Sequence, residues 1–220
     1  KEKKEMSTAR KQPRNDNPIT IGNSKLGNNI AILSITPAAL CVSRLLGLCQ
    51  VHEKDCYARK FEKRFPNTVI SLELKQMAYW DMKSAFDIAL DIAALNASKR
   101  TKITAFRIGV SGDFRHQPDL DKAENLAAHL KEQGIVTYVY TARSDLDFSE
   151  IQHLVVNGSG FMAHNRFQVA YSLEKNPDGG WLATDKNGNK VSCNAVCAGD
   201  CRKCSLCQQK GGAVIAVKKH

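Results

Sequence analysis

Apolar residues recur along the chain in two rhythms. Continuous short runs at residues 30–35, 103–108 and 135–140 read as buried strands. Between them the spacing changes to steps of three and four. Leu74, Ala78, Met82, Ala85, Ala89 and Ile92 make one apolar face, which predicts a single helix from about residue 71 to 96. Ser71 is its N-cap and Glu73 favours its first turn. Pro66 and Asn67 separate it from a basic helical stretch over 59–64. Asp121 with Glu124 resembles a capping box that opens a helix carrying Leu126, Ala127 and Leu130 on one side. Gly134 stands where that helix stops. A short helix over 149–154 is predicted next, then strands at 155–156 and 167–173. An exposed turn region over 176–189 and a closing strand over 213–217 complete the pattern.

Strand, helix, strand, helix, strand implies βαβ units and a parallel sheet. In such folds the carboxyl ends of the strands carry the chemistry. The loop after the first strand, the Ser111-Gly112-Asp113 turn and the Arg143-Ser144-Asp145 turn would share that face. The 220 residues fall short of the about 250 of a standard eight-unit barrel. The expected fold class is therefore α/β, a partial or trimmed TIM-like barrel of βα units with a cysteine-rich C-terminal segment. The expected organisation is a mobile basic arm over 1–20 and an α/β barrel-like domain over 21–190 that carries the first cysteine loop. A cysteine-rich segment over 191–220 would pack on the same domain.

Composition narrows the class. At 43% apolar and 25% charged residues the chain is globular. No run approaches the roughly 20 apolar residues of a membrane span. The polar start shows no secretory leader, so a cytoplasmic location is expected. The net charge of +10 is concentrated. Residues 1–14 carry six basic and two acidic side chains, 41–64 six and three, and 201–220 five and none. The plain reading is attraction to phosphate, with nucleic acid as partner. A second reading is local, because Lys and Arg would stabilise an anionic metal–thiolate centre.

The eight cysteines fall in two groups, Cys41, Cys49 and Cys56, then Cys193, Cys197, Cys201, Cys204 and Cys207. The absent leader and the tight spacing argue against disulfides. Cys201-Arg-Lys-Cys204-Ser-Leu-Cys207 places three thiols at two-residue gaps, which suits convergence on one centre. Zinc sites commonly use two pairs with a long spacer, whereas this crowding is closer to iron–sulfur loops. An iron–sulfur cluster, 4Fe-4S, is the expected cofactor and zinc the alternative. All eight cysteines are candidate ligands. They would serve two sites, or one cluster completed by both groups.

Gly22 to Gly27, the Leu33-Ser34-Ile35-Thr36-Pro37-Ala38 run and the cysteines ending in Cys56-Tyr57-Ala58 form an ordered series. With Ser111-Gly112-Asp113-Phe114, Tyr140-Thr141-Ala142-Arg143-Ser144 and the C-terminal cysteine run, it resembles the phage and plasmid family called gene product 88. The resemblance spans 20–220 and implies a cysteine-ligated centre in a protein of a phage or mobile element. Arg44 to Leu48 lengthen the cysteine loop beyond that family pattern. More distantly, three cysteines after a first strand and a Gly-plus-acid turn after the second resemble radical S-adenosylmethionine enzymes, which implies S-adenosylmethionine as a possible cofactor at Ser111, Gly112 and Asp113. The gaps of seven and six residues between the first three cysteines depart from the three and two usual there.

Arg107, Ser111, Asp113 and Arg143 are the candidate substrate-binding residues at the strand ends. An inward Arg107 needs a carboxylate or an anionic ligand. There is no phosphate-loop motif, nucleophile elbow or zinc-protease helix. Three function classes stay open. They are a redox or radical enzyme with a small-molecule or redox partner, a protein with a purely structural cluster, and a zinc-stabilised nucleic-acid-binding protein.

Overall fold

The structure is a computed structural model that describes residues 17–23 and 25–219. Most of the expected basic arm therefore lies outside the described residues. Its last position, Thr20, already belongs to β1 (Thr20–Ile21). The strands that follow are β2 (Ile30–Leu33), β3 (Ala105–Ile108), β4 (Val136–Thr141), β5 (Val155–Ser159) and β6 (Asn165–Ala170). Next come β7 (Ser172–Lys175), β8 (Trp181–Thr184), β9 (Lys190–Cys193), β10 (Ala195–Val196) and β11 (Val214–Lys218). Eight strands form one sheet in the order β1-β2-β3-β4-β5-β6-β11-β10, and β7-β8-β9 form a small antiparallel sheet. Only β1 is antiparallel in the large sheet; every other pairing there is parallel.

Side chains alternate across this sheet as the pleat requires. Ala31, Leu33, Phe106, Ile108, Val139 and Val156 belong to the main core, with Trp80, Ile88, Leu120 and Leu126 from the helices. Ile30, Ile32, Ala105, Tyr138 and Val155 form a second cluster with Leu26. The first face is packed under helices. The second borders the cavity described below.

The helices are α1 (Val42–Leu45), α2 (Tyr57–Arg64), α3 (Pro66–Met82), α4 (Ala85–Ser98) and α5 (Gln117–Glu132). The single long helix expected over 71–96 is two helices. Pro66 starts α3 rather than breaking the chain, because a first-turn proline lacks only an N–H that has no helical partner. Ser84 then caps α4 reciprocally with Asp87, and this capping box turns the chain where periodicity alone continues. Ser84→Ala is expected to cost about 1 kcal/mol, a fall of about 2–4 °C in thermal denaturation.

Two further expectations change. No helix forms over 149–154; instead Glu124, expected in a capping box, accepts the backbone N–H groups of Gln152, His153 and Leu154. His116 caps α5 by accepting from Asp119 N. The strand expected over 167–173 is divided between β6 and β7, in different sheets.

The barrel expectation is corrected as well. Among the described residues no ladder joins β1 to β10, so the sheet stays open. The βα alternation runs only from β2 to β4. After β4 the described residues include no α-helix, and β5 reaches parallel β6 through residues 160–164 alone. That return is unusually short for a parallel connection. It turns at Gly160, whose φ of +89° suits glycine and whose missing Cβ makes room for Gln50. The strand expected to close the fold, β11, lies inside the sheet between β6 and β10.

Candidate functional site

The carboxyl ends of the strands open onto a cavity of about 650 Å³, inside the roughly 300–1,000 Å³ of small-molecule sites. Seven of the eight cysteines line it, Cys41, Cys49 and Cys56 from the first group and Cys197, Cys201, Cys204 and Cys207 from the second. All eight are free thiols. Cys193 sits apart, buried in a cluster with Ala183 and Ala216.

The first cysteine loop is set by a buried acid. Asp113 follows β3 and takes hydrogen bonds from Phe114 N (2.8 Å) and Thr141 Oγ1 (2.6 Å) on one oxygen, and from Ala142 N (2.8 Å) and Ser43 Oγ on the other. It thereby ties the β3 turn, the end of β4 and the loop between Cys41 and Cys49. Gly112 lets this turn approach Thr36, with φ at +69° and no space for a Cβ. Burial pushes the Asp113 carboxyl up, against the pull of its four donors.

The far half of the loop crosses to the other side of the sheet. Lys186 Nζ donates to Cys49 O (2.6 Å), Gln168 to Gln50 (3.2 Å), and Tyr171 to Asp55 (3.2 Å).

The second group is held by two buried asparagines. Asn157 Nδ2 donates to Cys207 O (3.0 Å), and Asn165 Nδ2 donates to Gln209 O (2.7 Å) and to Asn157 Oδ1 (3.1 Å). Cys197 N bonds Ala216 O and Cys201 N bonds Lys25 O. Both asparagines are fully buried, so their polar groups must find partners inside the protein. The cysteine loop supplies two of them, Cys207 O and Gln209 O.

Burial raises the thiols on both sides, Cys41 and Cys207 to about 11. Cys49 and Cys201 are raised by the same cause. Cations oppose it: Lys186 acts on Cys49, and Lys25 and Arg107 act on Cys201. Within each group the sulfurs also act on one another. Cys41 is affected by Cys49 and Cys56, and Cys207 by Cys197, Cys204 and Cys201. Two separate thiol groups thus face one space.

Among the described residues no group of three or more His, Cys, Asp or Glu is placed to hold a metal ion. A single zinc draws four sulfurs to about 2.3 Å from one point. An iron–sulfur cluster spreads its thiolates over several irons and tolerates wider spacing. The donor set, all sulfur and free of disulfides, is compatible with either group.

A model of the gene product 88 family matches residues 2–210. The chain belongs to that family. No curated protein and no solved structure matches it, and none of these comparisons carries the radical S-adenosylmethionine likeness. In this gene product 88 protein the predicted residues separate by position. Arg107, Ser111 and Asp113 line the cavity with the seven cysteines. Asp113 has both oxygens engaged by protein donors, and Ser111 lies beside Glu73. Arg143 is buried outside the cavity wall, forked onto Asp145 and donating to Phe114 O (2.6 Å).

Sequence reasoning missed Asn157 and Asn165, and the pairing of Glu73 with Glu62. The asparagines were visible only as polar interruptions of apolar strands. Among the described residues no helix is long and apolar enough to cross a membrane.

Proposed function

We propose that the gene product 88 cavity is an iron–sulfur site, with Cys41, Cys49 and Cys56 holding one centre and Cys197, Cys201, Cys204 and Cys207 another. One observation carries this reading: thiols from chain segments about 140 residues apart line a single cavity without forming disulfides. Three thiolates leave a metal position open to a ligand, whereas four close it. The first group is thus the reactive side, and the second is the electron-storing or structural side. A bound cluster would supply one-electron chemistry. The protein contributes Lys25, Arg107 and Lys186 as cations facing the thiolates.

Anaerobic purification with an absorption spectrum and iron, sulfide and zinc counts tests the reading. Brown protein with about equal iron and sulfide is the expected result. Colourless protein with zinc would replace it by a structural metal site and make nucleic acid the better partner for the basic surface. A colourless, metal-free protein after anaerobic preparation and cluster reconstitution would end the metal reading altogether.

A further inference from the structure

Arg107 stands in the middle of β3, paired in register with Ile32 on one side and Tyr138 on the other, and lines the cavity. Its guanidinium lies 4.8 Å from the centre of the Tyr140 ring. The groups acting on it most strongly are Tyr57, which also hydrogen-bonds it, Tyr140, Tyr138 and Cys201, with no carboxylate among them. Its Nε is buried without a hydrogen-bond partner. Several other arginines have acids: Arg59 has Glu62, Arg115 has Asp81 and Asp119, and Arg143 has Asp145, whereas half-buried Arg166 bonds Gln168. A guanidinium does not shed its charge, and a buried one is costly unless an anion meets it.

The surroundings narrow the anion. Tyr140 packs against Phe167 (4.8 Å between ring centres) and against Tyr138 (6.0 Å), and Ile215 and Val217 continue the wall. This part of the wall is aromatic and apolar, and Arg107 is its planar two-pronged donor. A single guanidinium balances one negative charge and matches the two oxygens of a carboxylate. A phosphate dianion would need a second cation such as Lys25, which acts on Cys201 together with Arg107, so phosphate is the competing anion that the test includes.

We propose that Arg107 anchors the carboxylate of a small ligand whose aromatic or apolar body lies along Tyr138, Tyr140 and Phe167. This deepens the reading of the cavity as a ligand site, but it needs no metal. The competing counter-ion is a metal–thiolate centre at Cys201, which the test separates.

Anaerobic titration calorimetry with benzoate, its neutral analogue benzamide and inorganic phosphate is run on the parent, Arg107→Met and Arg107→Lys, with iron and sulfide counted in each sample. The expected result is benzoate binding at least tenfold tighter than benzamide or phosphate. Arg107→Met should lose at least tenfold in benzoate affinity, read on protein that still melts cooperatively. Arg107→Lys, which keeps the charge but not the fork, should fall between the two, and it decides the matter if the methionine variant does not fold. Equal binding of benzoate and benzamide, preference for phosphate, or variants that bind benzoate like the parent would overturn the proposal. So would a parent that ignores benzoate while Arg107→Met sheds its iron, which would assign the charge to the thiolate centre. Metal-free parent protein that still binds benzoate through Arg107 would refute the cluster and leave the anchor standing.

Discussion

Asp113→Ala is expected to lower the melting temperature by about 6–12 °C, the equivalent of roughly 3 kcal/mol in a domain of this size. The carboxylate is 6% exposed and receives four hydrogen bonds from three separate segments. Its loss leaves two hydroxyls and two backbone N–H groups unsatisfied at once. The substitution should also release the loop that carries Cys41 and Cys49. In metal-free, reduced protein these thiols are held back by burial, so their reaction with a disulfide reagent should accelerate several-fold. Thermal melts and stopped-flow thiol titration read the two effects separately. A variant that melts with the parent and reacts no faster would leave Asp113 without its positioning role.

Glu73→Gln is expected to abolish a stability loss that the parent shows between weakly acidic and alkaline pH. Burial, followed by the facing Glu62 carboxyl, pushes Glu73 up to about 8. Burial opposes ionisation of Glu62 as well, but contacts from Glu73, Arg59 (2.6 Å) and Ala39 N (3.1 Å) hold it below the usual range. The folded pair therefore keeps on Glu73 a proton that the unfolded chain releases near pH 4.5. The stabilisation from that proton is complete below about pH 4.5 and is lost as pH rises through about 8. The slope approaches about 1.4 kcal/mol per pH unit per proton. Glu62 contributes in the opposite sense, at the acid end. Glutamine at 73 keeps a neutral donor, so the variant should overtake the parent above pH 8. Parallel melting curves for the two proteins from pH 5 to 9 would show that Glu73 does not hold the proton.

What could be read from the sequence was local or periodic. Apolar runs placed β2, β3 and β4 within two residues of their observed ends, because buried parallel strands need continuous apolar side chains. The cysteine spacings separated the thiols into two groups, and the strand-end rule put the first loop, Ser111 and Asp113 on one face. The break between α3 and α4 was missed because Met82 and Ala85 continue the apolar spacing across it, while Ser84 and Asp87 act through a side-chain cap. Asn157, Asn165, Glu62 and Glu73 were missed for a different reason. Apart from Arg59, three residues from Glu62, the partners named lie 8 to 50 residues away, and pairing at that range leaves no period. The open sheet was equally hidden, since nothing in residues 213–217 says which strands they will lie between.

The placement of β11 has a consequence for biosynthesis. Because β11 separates β6 from β10, the emerging polypeptide cannot finish its sheet until positions 214–218 have left the ribosome. Until then the early cysteines have no completed wall opposite them and Cys197 lacks its anchor on Ala216. The cavity is thus completed late in synthesis, and a message truncated upstream of codon 214 yields a chain with an incomplete cavity wall and an unzipped β6 edge, prone to aggregation.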